Sequence, residues 1–216
     1  MPELNVNGVP LRVGNIFCIG RNYAAHAAEL GNALEEEPLV FLKPTSALIG
    51  EDAPITLPAY SQDVQHEAEL VVLIGKGGAD IAESDALAHV AAYGIGLDLT
   101  ARDVQAEAKR KGLPWVKAKG FRSAACVSAL VAAQRVPDPQ ALHFSLTVNG
   151  ETRQQGDTAM MLFSVAHIVS TLSRIYGLSA GDLIYTGTPA GVSALASGDT
   201  VAVQLDGLVS ATWRVA

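Results

Sequence analysis

A chain of 216 residues, 49% hydrophobic and 17% charged, is long enough to bury a substantial core as one domain, and the apolar excess also suits an oligomer interface. Its net charge of -7 argues against a nucleic-acid or anionic-membrane partner, since both need a basic face. Cys18 and Cys126 have neither a nearby thiol nor a histidine at zinc-finger spacing, so they read as buried thiols in a reducing, cytoplasmic setting.

Leu4 to Leu11 alternates apolar and polar residues around Asn7-Gly8, the signal of a short starter hairpin within residues 1–12. The start carries Pro2 and Glu3 and has no basic, apolar leader, so no signal peptide is expected, and no apolar run is long enough to span a membrane. Ile16 to Gly20 reads as a strand. The alanine-rich stretch Arg21 to Leu30 reads as a helix in which His26 and Glu29 share a face. Alone, such a pair is more often a surface contact than a catalytic one. The segment from about 22 to 37 shows little apolar surface and ends in Glu35-Glu36-Glu37-Pro38, which points to a mobile lid. Leu39 to Lys43 is a strand stopped by Pro44, and Gly50 to Pro58 is irregular.

Gln65-His66-Glu67-Ala68-Glu69 runs directly into the apolar segment Leu70 to Ile74, and a spacing of two puts both glutamates on one face of a strand. A second apolar run, Val90 to Leu97, ends in Asp98. Were the three carboxylates to converge, each pair 4 Å apart would repel by about 4 kcal/mol at an effective dielectric near 20, which a divalent cation relieves. Taken singly, Glu-x-Glu also suits a solvated strand edge and Asp98 a helix cap. Ser84-Asp85 reads as a helix start with Leu87, Val90 and Ala91 on one side, returned to extended chain by Gly94 and Gly96. Thr100 to Asp103 resembles a capping box for a helix to Lys111, whose Lys109-Arg110-Lys111 suits the negative end of the helix dipole. Arg102 and Gln105 share its first turn, near Asp98, as candidate substrate binders. Lys117 and Lys119 share a face if extended; judged by themselves, such lysines most often face solvent.

Phe144 to Gln155 forms a second hairpin around Asn149-Gly150 and leads to a helix with Val165, Ile168, Val169, Leu172, Ile175 and Tyr176 on one face, closed by Gly177. His167 lies off that stripe and reads as a solvated surface residue. Leu183 to Thr186 is a strand, and Gly187-Thr188-Pro189-Ala190-Gly191-Val192 is a glycine-flanked loop without the length or lysine of a phosphate-binding loop. Val201 to Leu205, Asp206-Gly207 and Leu208 to Val215 make a third hairpin. Short strands and helices out of regular alternation indicate an α+β fold rather than a doubly wound sheet.

The blocks Gly20-Arg21-Asn22-Tyr23 with His26 and Glu29, Phe41-Leu42-Lys43-Pro44, His66-Glu67-Ala68-Glu69, Leu97 to Gln105, Lys111 to Trp115 with Lys119, Val148 to Glu151, and Gly187 to Val192 occur in one order along the chain. Together they resemble the fumarylacetoacetate hydrolase superfamily, in its short single-domain branch of acylpyruvases and oxaloacetate decarboxylases. That resemblance implies one catalytic domain over 1–216 with a mixed β-roll or β-sandwich and peripheral helices, usually dimeric. It implies that Glu67, Glu69 and Asp98 ligate Mg²⁺ or Mn²⁺, that His26 and Glu29 activate water, that Lys119 is catalytic, and that Arg21, Arg102, Gln105 and Thr188 contact substrate. Ser193 stands where the family loop usually has glycine. The expected activity is hydrolysis of a carbon–carbon bond in an acylpyruvate such as acetylpyruvate or fumarylpyruvate. Oxaloacetate decarboxylation and keto-enol tautomerisation or isomerisation are alternatives on the same metal site. A non-catalytic metal and dicarboxylate binder is an alternative of another class.

Overall fold

The computed structural model describes residues 2–6, 8–29 and 36–216. In chain order, β1 (Glu3–Val6) and β2 (Val9–Arg12) pair as an antiparallel hairpin. β3 (Ile16–Gly20) leads into helix α1 (Ala24–Glu29), and β4 (Leu39–Lys43) returns antiparallel to β3. Next come β5 (Leu48–Ile49), β6 (Val64–Gln65), β7 (Ala68–Ile74), β8 (Val90–Asp98) and β9 (Thr100–Ala101), then α2 (Arg102–Lys111) and the short α3 (Val116–Lys119). β10 (Ala125–Val127) and β11 (Val131–Ala132) precede the hairpin β12 (His143–Val148) and β13 (Glu151–Asp157). Helix α4 (Val165–Tyr176), β14 (Leu183–Tyr185), and the hairpin β15 (Thr200–Leu205) and β16 (Val209–Arg214) complete the chain.

The central sheet is mixed, in the order β4-β3-β14-β7-β8-β10-β5 with β11 also on β8. Its β3–β14 and β10–β5 pairs are parallel, while β14–β7, β7–β8 and β8–β10 are antiparallel. A second, antiparallel sheet in the order β13-β12-β15-β16 packs over β7 and β8. This is the expected α+β architecture, a curled mixed sheet with a few outer helices. β7 is buried at every position and β8 at nearly every one, which explains why Leu70 to Ile74 and Val90 to Leu97 lack polar alternation: both faces are covered. Gly96 in β8 permits this closeness, because a Cβ there would meet Cys126 O at 2.4 Å and the Tyr185 ring at 2.8 Å. Among the described residues, no helix is long and apolar enough to cross a membrane.

Several local expectations change in the folded chain. Glu83–His89 is a 3-10 helix rather than an α-helix, and the strand already begins at Val90, because only Ala86 anchors that turn while Leu87 is 41% exposed. Thr100 belongs to β9 and does not cap α2. Asp103 instead accepts from Ser61 Oγ at 2.6 Å and Gln62 N at 2.9 Å, pinning the helix start to the preceding loop. The other end of α2 closes on Gly112 at φ 65°. Lys117 and Lys119 lie on helix α3 and not on an extended face; the helical turn sends Lys119 into the interior and leaves Lys117 over the Tyr60 ring at 4.9 Å. On α4, Val165, Ile168, Val169 and Leu172 are buried, but Ile175 and Tyr176 are about half exposed where the helix leaves the sheet. His167 is on the surface, paired with Glu83 at 3.0 Å.

Of the segment expected as a lid, residues 30–35 lie outside the described residues. Its first part makes contacts with the body of the fold. Asn22 donates to Phe163 O at 3.0 Å and Thr186 O at 2.8 Å and accepts from Phe163 N, while Tyr23, His26 and Ala27 are buried.

Candidate active site

The register of β7 against β8 builds the floor of a cleft. Ala68 pairs with Leu97 and Glu69 with Gly96, and Asp98 N donates to Glu67 O at 2.9 Å, so Glu67 sits across from Asp98. Glu67 precedes β7 rather than belonging to it, yet its carboxylate joins those of Glu69 and Asp98, with one oxygen from each lying within 4.8 Å of the others. All three are buried. Lys119 Nζ bridges Glu67 Oε2 at 2.6 Å and Asp98 Oδ2 at 2.7 Å, and Arg102 donates to Glu67 Oε1. Burial opposes ionisation of Glu67, but Lys119 and Arg102 overcome it and hold the carboxyl well below its usual range. Glu69 behaves oppositely. Burial first, then the charges of Asp98 and Glu67, push its carboxyl well above the ordinary value, although Gly187 N donates to Glu69 Oε2 at 2.8 Å. Gly187 has a φ of 102°, and a Cβ there would meet Asn22 Cβ at 2.6 Å, so glycine is required where the loop delivers that N–H.

This donor set fits a hard divalent cation. Its donor atoms are all carboxylate oxygens, burial and the charges of Asp98 and Glu67 outweigh the help Glu69 has from Lys119 and Gly187 N, and Asp98 Oδ1, although 2.7 Å from Lys43 Nζ, receives no well-directed hydrogen bond.

Every residue expected at the site except Glu29 lines this cleft: Arg21, His26, Glu67, Glu69, Asp98, Arg102, Gln105, Lys119 and Thr188, with Ile19, Leu39, Phe41 and Trp115 as apolar walls. Glu29 stands behind His26, its Oε2 3.2 Å from His26 Nδ1, and accepts from Gly191 N at 3.1 Å. A carboxylate accepts from both, so Nδ1 carries a hydrogen. Arg21, at the end of β3, holds φ 60°, a left-handed conformation that side chains other than glycine rarely adopt.

Sequence reasoning assigned no role to three supporting residues. Lys43, at the end of β4, is 3% exposed and binds Asp98, Leu99 O at 3.1 Å and Lys119 O, thereby holding two floor residues. Its signal was a lysine ending an apolar strand immediately before proline. Gln154 Oε1 accepts from Ala68 N at 3.0 Å, so the His66 Nδ1 beside it at 3.0 Å must carry a hydrogen, and His66 Nε2 accepts from Ser193 Oγ at 2.8 Å. Gln154 Nε2 donates to Thr188 Oγ1 at 2.8 Å and Pro189 O at 2.9 Å, fastening the glycine-flanked loop to β7. Nothing in the local pattern of Glu151 to Asp157 distinguishes Gln154 from its polar neighbours; only its inward position in β13 does.

The fumarylacetoacetate (FAA) hydrolase C-terminal family matches residues 15–216. The chain is 49% identical over 201 residues to the oxaloacetate tautomerase FAHD1, mitochondrial, of Mus musculus, covering 93% of this chain and 91% of that one. It is 44% identical over 196 residues to the oxaloacetate tautomerase YcgM of Escherichia coli K12, covering 90% of each. The crystal structure of fumarylpyruvate hydrolase from Pseudomonas aeruginosa, in complex with Mn²⁺ and pyruvate, superposes with a TM-score of 0.94 at 39% identity, covering 99% of this chain and 95% of that one. With the family match spanning nearly the whole chain, the carboxylate floor and the His26–Glu29 pair have a clear setting: the chain belongs to the fumarylacetoacetate hydrolase family of enzymes.

Proposed function

We propose that this chain is a Mg²⁺- or Mn²⁺-dependent hydrolase that splits an acylpyruvate into pyruvate and a carboxylic acid. The observation carrying this reading is the buried triad Glu67, Glu69 and Asp98 in the same cleft as His26, whose Nδ1 is held by Glu29. The triad would hold the cation, which when bound supplies an electrophile for the 2-keto acid end of the substrate.

The protein's own groups do the rest. Arg102, Gln105 and Thr188 position the pyruvoyl end, and Lys119 favours the ionised form of Glu67, bridges it to Asp98 and adds positive charge beside the developing enolate. His26 Nε2 takes a proton from water as its oxygen bonds to the distal carbonyl carbon. The bond from that carbon to the pyruvate methylene then breaks, its electron pair stays on the pyruvate fragment, and a proton returned there completes pyruvate. Glu29 holds the imidazole through Nδ1 and stabilises its charged form. Leu39, Phe41 and Trp115 exclude bulk water.

A second reading, oxaloacetate tautomerisation or decarboxylation, is supported by the identity to oxaloacetate tautomerases. It uses the same floor without an attacking water. Assaying acetylpyruvate, fumarylpyruvate and oxaloacetate with each metal separates these readings. Pyruvate and acid from an acylpyruvate support the hydrolase. Turnover of oxaloacetate alone favours the second reading. No turnover of any, with metal bound, would leave a non-catalytic binder.

A further inference from the structure

The three carboxylates of the floor are unequally provided with cations. Glu67 accepts from Lys119 Nζ at 2.6 Å and from Arg102, so both of its oxygens are engaged. Asp98 has an ammonium at each oxygen, with Lys119 Nζ 2.7 Å from Oδ2 and Lys43 Nζ 2.7 Å from Oδ1. Glu69 has no ion pair among the described residues; Gly187 N donates to it, and the charge of Lys119 reaches it without a hydrogen bond.

Lys43 differs from the other cations in contact with these carboxylates. Its side chain is wholly buried, and it is not among the residues that line the cleft, whereas Arg102 and Lys119 are. A group bound in the cleft therefore feels Lys43 only through the floor. Its contacts with Leu99 O and Lys119 O call for N–H donors, which a neutral amide also supplies. Among the described residues, its charge is met only by Asp98, and Lys119 already serves the other oxygen of that carboxylate. Burying an ammonium carries a desolvation penalty, so a second buried cation on one carboxylate is more than packing requires.

The consequence falls on the divalent cation that the triad would hold. Whichever oxygen of Asp98 faces that ion is shared with an ammonium. A cation beside a carboxylate weakens its hold on a proton by about ten- to a thousandfold, and the same repulsion acts on an ion of twice the charge. We propose that Lys43 sets the metal affinity of the site, competing with the divalent cation for Asp98 from behind the floor. The same ammonium thus supports the metal-free fold and opposes metal uptake. This deepens the reading above and rests on its assignment of the triad to a metal.

The test titrates Mn²⁺ calorimetrically into the metal-free wild type, Lys43→Gln and Lys43→Arg, with urea unfolding of each metal-free protein alongside. Lys43→Gln removes the charge and keeps N–H donors for the two carbonyls. It should bind Mn²⁺ about tenfold more tightly or better, even where its metal-free fold is the weaker, whereas loss of a purely structural contact would weaken both. Should that variant not fold, Lys43→Met gives the same readout. Lys43→Arg keeps the charge and should stay close to the wild type. Equal or weaker Mn²⁺ binding in the neutral variant, or tightening in Lys43→Arg to match it, overturns the proposal and leaves the metal assignment standing. A wild type that takes up no Mn²⁺ removes both.

Discussion

The floor of the cleft and the solvent side of α2 carry the same kinds of charged side chain in opposite physical states. Glu67, Glu69, Asp98, Lys43 and Lys119 are each no more than 4% exposed. Glu107, Arg110 and Lys111 pair as closely, but with side chains 48%, 67% and 51% exposed. Buried ions lose hydration that only well-placed partners return, so removing one floor charge leaves another stranded. Exposed pairs have water as an alternative partner and cost little to break. Floor residues are therefore bound up with folding and with the proposed chemistry alike, whereas the outer side of α2 is nearly free of both.

The strongest way to sharpen this contrast is Glu69→Ala, which should reduce metal-dependent pyruvate release to background; unchanged rates would sink the triad assignment. Glu69 also separates function from stability. Its folded-state pKa lies above the unfolded value, so its contribution favours folding below the unfolded pKa and is lost as pH rises through the folded one. Glu69→Gln should consequently raise the melting temperature of the metal-free protein, more at pH 8 than at pH 5, while losing metal binding by calorimetry.

His26→Ala comes next. Hydrolysis of acetylpyruvate should fall by about 10²–10⁴-fold, with oxaloacetate decarboxylation retained, and equal loss of both would remove the water-activating role. Lys43→Met leaves Asp98 with Lys119 as its cation and strips Leu99 O and Lys119 O of a donor, so it should cost about 1–3 kcal/mol in urea unfolding, a result that a merely surface lysine would not give. The smallest effect belongs to Glu107→Gln, whose melting temperature and turnover should match the wild type within error. A clear drop in either would break the distinction between floor and surface.

Much of the site was legible because its residues fall in local patterns. Glu67 and Glu69 alternate at the head of an apolar run, Asp98 ends the next, and His26 and Glu29 sit one helical turn apart. The lysines were harder. Lys117 and Lys119 look equivalent in the chain, and only the winding of α3 buries one. Lys43 sits on an edge strand, far in sequence from the Asp98 it holds. Lys109 looked like part of a dipole-neutralising cluster until α2 turned it away from Arg110 and Lys111 toward the cleft.

By itself the sequence determined the α+β class and the hairpins at Asn149-Gly150 and Asp206-Gly207, because turn chemistry and strand patterns are local, and it singled out Glu67, Glu69, Asp98, His26 and Glu29 only through the ordered blocks that resemble the family. Tertiary structure alone decided which cations meet those carboxylates, how Gln154 ties the loop at 187–191 to β7, and why Glu69 and Glu67 titrate in opposite directions. Those outcomes depend on distances between segments brought together by strand register, and on burial, neither of which is written in any one stretch of chain.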